Sequence, residues 1–364
     1  MTKNDLENHL KHFIEPYYET DLITAKAIKQ IEIAGNHVTI DIVLGFAAQR
    51  YETALKEALM THLKKMPDIG AVTLSIETKI SAHAVQKNLK PLPNVKNIIV
   101  IASAKGGVGK STTAVNVALA LALEGARVGI LDADIYGPSI PTMLGLSGAP
   151  ETFDNKTMQP KVAHGIQTMS IGYLVSDDQA LIWRGPMVTN ALRQLLNETH
   201  WDQLDYLIMD LPPGTGDIQL TLAQSIPVSG AIIVTTPQDI ALLDVQRGLS
   251  MFDKVNIPVL GLVENMSTHI CRQCGHEEAI FGTGGGVAMA EINKITCLGK
   301  LPLDIQIREH ADLGAPVVMA QPDSHAAQIY LAIAKKMTAL LALKPKDFSN
   351  KFPNIVIQSA TSHH

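Results

Sequence analysis

The sequence predicts an α/β protein, with a mostly parallel sheet covered by helices on both faces and a small α+β domain in front of it. Three observations carry this expectation. Between residues 97 and 264, short apolar runs alternate with helical segments, as buried parallel strands and their helical crossovers do. The first of these runs, Asn97 to Ser103, passes through a glycine-rich turn directly into a helical segment. Residues 1–80 follow a different order, αββαβ, and a proline-bearing stretch separates them from the rest.

In the first unit, Leu6, Leu10, Phe13 and Ile14 recur at helical spacing. Ile28–Ala34 and His37–Leu44 are β-rich and flank Gly35-Asn36, a hairpin signal. From Ala47 to Met66, Leu55, Leu59 and Leu63 form a helical stripe that Pro67-Asp68 ends, and Ala71–Ile76 alternates as a strand. The unit shows no catalytic constellation. Residues 81–96 carry Lys87, Lys90 and Lys96 around Pro91 and Pro93 and read as an exposed linker. The main domain spans 97–343, with a helix over Lys110–Glu124 and strands over Arg127–Asp132, Tyr206–Asp210, Ala231–Thr235 and Pro258–Glu264. Residues 344–364 have little periodicity and read as a solvated tail.

Composition narrows the functional classes. The chain has 364 residues, 46% hydrophobic and 18% charged, and a formal net charge of −5, which argues against a broad basic surface for nucleic acid. No apolar run approaches the ~18 residues of a membrane span, and the first residues show no secretory pattern. The three cysteines, Cys271, Cys274 and Cys297, are too few for a disulfide framework, so a reducing cytoplasm is the expected location.

The strongest motif is Lys105-Gly106-Gly107-Val108-Gly109-Lys110-Ser111-Thr112, between strand and helix. Its glycines let backbone N–H groups turn toward an anion, and the helix N-terminus adds favourable partial charge. Lys110 is expected on the β- and γ-phosphates, Ser111 on Mg²⁺ and Thr112 on the α-phosphate. The usual phosphate-loop template has Gly five positions before its last Gly; here that position is Ala104. Two acidic motifs follow: Asp132-Ala-Asp134-Ile-Tyr-Gly-Pro-Ser139 at one strand end, and Asp210-Leu-Pro-Pro-Gly214-Thr-Gly-Asp217 at another. Asp210 is expected to hold Mg²⁺ through water and the Gly214 amide to face the γ-phosphate.

His269-Ile-Cys271-Arg-Gln-Cys274-Gly-His276 supplies two thiolates on one turn. A tetrahedral zinc ion or a four-iron cluster wants four ligands, which a twofold dimer would provide. A single-chain zinc site using His269 and His276, or a redox dithiol, is an alternative reading of the same residues. Cys297 reads as a small core residue in a strand.

Together these motifs, with Val263-Glu-Asn265-Met-Ser, resemble the Mrp/ApbC-type iron–sulfur cluster carrier ATPases, P-loop NTPases of the MinD/ParA-like deviant Walker A class. The first 80 residues are similar to the small domain often fused to bacterial members. The resemblance implies a homodimer that binds and hydrolyses ATP with Mg²⁺, holds a [4Fe–4S] cluster between subunits through Cys271 and Cys274, and passes it from a cluster donor to apoproteins. It implies that Lys105 acts across the dimer interface, that Asp134 orients the attacking water with Asp132 nearer the metal, and that Asn265 and Pro302, with Asp304, line the base pocket. A positioning ATPase acting on membrane or DNA and a zinc or nickel metallochaperone are the alternatives. Pro345 and Pro353 interrupt any amphipathic tail helix, and no His-rich tract is present.

Overall fold

The computed structural model describes residues 2–67, 69–87, 89–153, 156–174, 185–271 and 273–347. The tail expected over 344–364 therefore lies outside the described residues beyond Asp347.

The small domain contains α1 (Lys3–Leu10), β1 (Ile28–Ala34), β2 (His37–Leu44), α2 (Glu52–Leu63) and β3 (Ala71–Thr78). β2 is central, antiparallel to β1 and parallel to β3. Its alternating side chains Val38, Ile40, Ile42 and Leu44 are buried against Leu6, Leu10, Leu55, Leu59 and Leu63 of the two helices. The first helix ends at Leu10, so Phe13 and Ile14 fall outside it, and α2 starts only at Glu52, after Ala47, which packs in the main-domain core, and Ala48, which packs in the small domain's own core.

The large sheet is built from β4 (Val95–Ala102), β5 (Val128–Asp132), β6 (Lys161–Ala163), β7 (Ile166–Ser170), β8 (Leu204–Asp210), β9 (Gly230–Thr235), β10 (Val259–Glu264) and, after a two-stranded hairpin, a last strand at Cys297–Lys300. Starting from that last strand, the order is followed by β10, β9, β4, β8, β5, β7 and β6, all parallel except β6. Buried on both faces, β4, β5, β8, β9 and β10 are nearly uninterrupted apolar runs. α3 (Lys110–Leu123) and the last helix (His325–Ala342) cover one face. α4 (Gly185–Asn197), α5 (Asp217–Ser225) and α6 (Asp239–Lys254) cover the other.

The proline-bearing segment is more closely held than an exposed linker. Gln86 donates to the carbonyls of Ala223 and Ile226 and accepts from the Val228 N–H, while His83 is buried against Asn97 and bridges to Lys346. Val95 and Lys96 already belong to β4.

The two domains meet at the far end of α3. Glu124 accepts from the Arg50 N–H at 2.9 Å and from Lys335 Nζ at 2.9 Å, and the Lys335 ammonium also lies 5.3 Å from the Tyr17 ring centroid and 5.8 Å from that of Tyr51. The Glu124 side chain is fully buried and that of Lys335 nearly so. Lys335→Ala would leave a buried carboxylate without its cation, so we expect a loss of about 3 to 5 kcal/mol of stability. A urea denaturation midpoint that does not move would show that the pair contributes nothing.

Candidate nucleotide site and cysteine hairpin

In a parallel sheet the carboxyl ends of the strands all face the same edge, where ligands bind. Five strands deliver functional groups there: the glycine-rich loop follows β4, Asp132 ends β5, Asp210 ends β8, Thr235 ends β9 and Glu264 ends β10. Lys110 opens α3 and is buried, and its ammonium is 2.6 Å from Asp210 Oδ1, 3.4 Å from Asp134 Oδ2 and 3.2 Å from Ser111 Oγ. Burial holds the Asp210 carboxyl above the usual carboxylate range, against the opposing pull of Lys110. Asp210 Oδ2 is buried and makes no hydrogen bond of ordinary geometry, although the Ser111 hydroxyl lies beside it. An oxygen-rich pair of this kind, one carboxylate and one hydroxyl, fits a hard cation such as Mg²⁺.

The loop is shaped for an anion. Gly107 and Gly109 have φ of +79° and +81°, a region open to glycine without strain. A Cβ on Gly109 would stand 2.1 Å from Asn265 Nδ2, because the Asn265 amide crosses the loop to donate to the Val108 carbonyl at 2.8 Å. Ala104 is not among the residues with positive φ, so the methyl group that breaks the template is accommodated by the backbone. The loop encloses a cavity of about 220 Å³ lined by Gly106, Gly107, Gly109, Lys110, Ser111, Thr112 and Asp134. Adjoining it, Gly109, Thr112, Asn265, Pro302, Asp304 and Arg308 line a second cavity of about 290 Å³, backed by Tyr330. The two share Gly109, Thr112 and Met143, a phosphate compartment beside a larger, more apolar one. Met143, Ile307, Arg308 and Tyr330 carry no sequence motif; Asn265, Pro302 and Asp304, the last capping the helix Ile305–Asp312, are what marked that neighbourhood.

Two expected residues stand elsewhere, and Lys105, which lines the smaller cavity, makes its contacts within the chain. Asp132 does not join the Lys110 cluster as a residue nearer the metal: its oxygens accept from the Asp134 N–H, the Ile140 N–H and Ser170 Oγ. It is fully buried, its pKa pushed up to about 7 by burial and by the Asp210 charge, and it shapes the turn that presents Asp134. The Gly214 N–H does not face the phosphate compartment but donates to the Ser103 carbonyl at 2.8 Å. Lys105 folds back within its own chain, 3.1 Å from Asp244 Oδ2 and 2.9 Å from the Ile240 carbonyl, both on α6.

Past β10 the chain forms the hairpin β11 (His269–Ile270) and β12 (Glu277–Glu278), with Cys271 and Cys274 in its turn. The Cys271 N–H donates to the His276 carbonyl, the Gly275 N–H donates to the Cys271 carbonyl, and Gly275 has φ of +71°. This geometry aims the backbone N–H groups of Cys274 and Gln273, and the Cys274 thiol, at the Cys271 sulfur and holds that thiol below its usual range. Cys274 is exposed. His269 Nδ1 lies 3.1 Å from the Leu303 carbonyl, and among the described residues no group of three or more His, Cys, Asp or Glu side chains is placed to hold a metal ion. Cys297 opens the last strand, β13 (Cys297–Lys300), half-buried, with its thiol pushed up by burial.

With this geometry in place, comparison with known proteins decides the family. The family model described as NUBPL iron-transfer P-loop NTPase matches residues 94–338. The chain belongs to this family. A second family, described as iron–sulfur cluster assembly protein, matches residues 3–76. An iron–sulfur cluster carrier protein from Haemophilus influenzae is 50% identical over 340 residues, 93% of this chain and 92% of its own. The mouse iron–sulfur cluster transfer protein NUBPL is 51% identical over 271 residues, 74% of this chain and 85% of its own. Among solved structures, a nucleotide-binding protein from Archaeoglobus fulgidus in complex with ADP has 37% identity and a TM-score of 0.54, over 61% of this chain and 87% of its own. MinD from Pyrococcus horikoshii, at 23% identity and a TM-score of 0.50 over 65% of this chain and 94% of its own, shares the fold.

The loop geometry makes a paired prediction. Gly109→Ala should abolish ATP binding, because the added methyl meets Asn265 and a positive φ together. Ala104→Gly should leave affinity within about twofold. Isothermal titration checks both, and retained binding in Gly109→Ala would refute the cradle.

Proposed function

We propose that this chain is an ATP-binding and ATP-hydrolysing iron–sulfur cluster carrier, in which two copies share a [4Fe–4S] cluster through Cys271 and Cys274 and release it to apoproteins. The observation that supports it most is the pairing of a nucleotide cradle with a two-cysteine hairpin that supplies half of a four-iron cluster's ligands. The N–H groups that lower the Cys271 thiol favour the thiolate form that iron binds. The names of the relatives, iron–sulfur cluster carrier and transfer proteins, point the same way. Among the described residues no helix is long and apolar enough to cross a membrane.

Lys110 is held by carboxylates in the structure described here; arriving β- and γ-phosphates are stronger and more numerous acceptors for its ammonium. As Lys110 turns to them, Asp134 is freed to orient a water molecule for in-line attack, and Asp210 with Ser111 is left to hold Mg²⁺. When bound, that ion neutralises charge on the phosphate oxygens. Asn265, Pro302 and Asp304 are the proposed base-pocket residues. Lys105 leaves Asp244 to reach the nucleotide of a second copy, and Ile240 and Leu243, exposed on α6 beside it, offer apolar surface for that copy. Phosphoryl transfer then changes the interface that the cluster spans, and a cluster held by two separable subunits is easier to release than one enclosed in a single chain.

Anaerobic reconstitution of the purified protein should load about four iron and four sulfide per dimer, as the shared four-iron cluster requires. Near-zero iron with one zinc per chain would refute the carrier reading. Lys110→Ala should remove ATP turnover while leaving the reconstituted iron content nearly intact, since the two sites share no side chain. Loss of iron from a folded Lys110→Ala protein would contradict their separation.

A further inference from the structure

Glu264, the last residue of β10, is fully buried, and the phosphate chemistry makes no use of it. Its Oε1 accepts from Ser267 Oγ at 2.7 Å and its Oε2 accepts from the Gly286 N–H at 2.6 Å. Both carboxyl oxygens therefore have a donor within the segment. Ser267 and Gly286 are the two ends of the segment that carries the cysteine hairpin. Gly286 lies in the first turn of α7 (Gly285–Ile292), where a carboxylate also satisfies an orphan N–H. The fit is close, since a Cβ on Gly286 would stand 2.7 Å from Glu264 Oε2.

The next residue, Asn265, spans in the other direction. Its side chain donates to the Val108 carbonyl in the phosphate loop, and its backbone N–H donates to the Thr235 carbonyl at the end of β9. Met266, with φ of +56°, turns the chain sharply between the two connections. The hairpin's base is also joined to the nucleotide pocket, because the Leu303 N–H donates to the Thr268 carbonyl at 2.7 Å and Leu303 lines the base cavity. A displacement of the phosphate loop therefore pulls on Asn265, and what Asn265 moves is the strand end to which Glu264 ties both ends of residues 267–286.

We propose that Glu264 is a positioning residue that couples the nucleotide pocket to the cysteine hairpin, by holding Ser267 and Gly286 to the strand end that carries Asn265. This rests on the reading above, in which Asn265 lines the nucleotide pocket and the hairpin carries the cluster. Glu264 itself touches neither nucleotide nor iron. Its carboxylate makes the hairpin move with the strand end instead of trailing as an independent loop.

The test reads the hairpin directly, in the full-length, cluster-free protein. Iodoacetamide labelling of Cys271 and Cys274 is followed by mass spectrometry with and without MgATP, each thiol being compared with itself within one variant. In the unaltered protein MgATP should change the labelling rates of Cys271 and Cys274 by about fivefold or more, the usual lower bound of a site–site coupling. Glu264→Ala should cut this response to within about twofold while the ATP Kd stays within about threefold, as expected when Asn265 keeps its own contacts. Glu264→Gln should restore it, because the amide oxygen can accept from Gly286 and the amide N–H₂ can donate to Ser267. If Glu264→Ala does not fold, Ser267→Ala, which removes one of the two ties, decides instead. A full response in the deciding variant, no response in the unaltered protein, or loss of ATP binding in the deciding variant each overturns the proposal. Iron content after reconstitution separates this from the carrier reading: iron bound with no ATP response of the thiols sinks the coupling alone, and an intact response without iron sinks the carrier reading alone.

Discussion

A lysine ammonium almost wholly removed from water must be neutralised, and the carboxyl edge of the large sheet is arranged around that requirement. Lys110 is held by Asp210 at 2.6 Å and Asp134 at 3.4 Å, so three elements, α3, β8 and the turn after β5, are tied through one buried charge. Desolvating an ion is costly, and the partners have to be placed in advance by the fold. Parallel strands do this, because each delivers its last residue to the same edge. Under the proposed function the same arrangement is responsive, since incoming phosphates would replace the carboxylates around Lys110 and free Asp134.

The second feature of the edge is how few residues separate the nucleotide cradle from the cysteines. Asn265 crosses to the phosphate loop, Glu264 secures the segment that follows, and Cys271 stands six residues beyond Asn265 in a hairpin turn whose N–H groups favour thiolate. A carrier must hold a cluster firmly and also give it up. Short, stiff connections of this kind let an event at the phosphate end reach the sulfur end without a large rearrangement.

Much of this was legible in the sequence because it depends on local chemistry. Uninterrupted apolar runs announce strands buried on both faces, and the glycines of residues 106–109 announce a backbone that must turn toward an anion. The longer elements of the small domain were readable from period and hairpin signals for the same reason, whereas the short hairpin of Ile14–Glu15 with Thr20–Asp21 was not. What escaped depends on distant packing. Nothing local shows that Asp132 is taken up by Ile140 and Ser170, that the Gly214 amide is claimed by Ser103, or that Met143, Arg308 and Tyr330 close the cavity beside the phosphate loop from other elements. The proline-bearing segment read as free because Pro and Lys dominate it, yet Gln86 and His83 bind it through side-chain contacts that composition cannot reveal. Glu264 was visible only as one letter of a motif; its role lies in two contacts, one of them 22 residues away.

The account depends most on two copies of the chain sharing one cluster, since one hairpin supplies only two sulfur ligands. Sedimentation velocity of the anaerobically reconstituted protein, monitored in the visible iron–sulfur band, tests this most directly. The predicted result is that the coloured species sediments with twice the 39.2 kDa mass of the chain and that removing the cluster and nucleotide shifts it toward a single copy. Visible absorbance travelling with one 39.2 kDa chain under every nucleotide condition would contradict it.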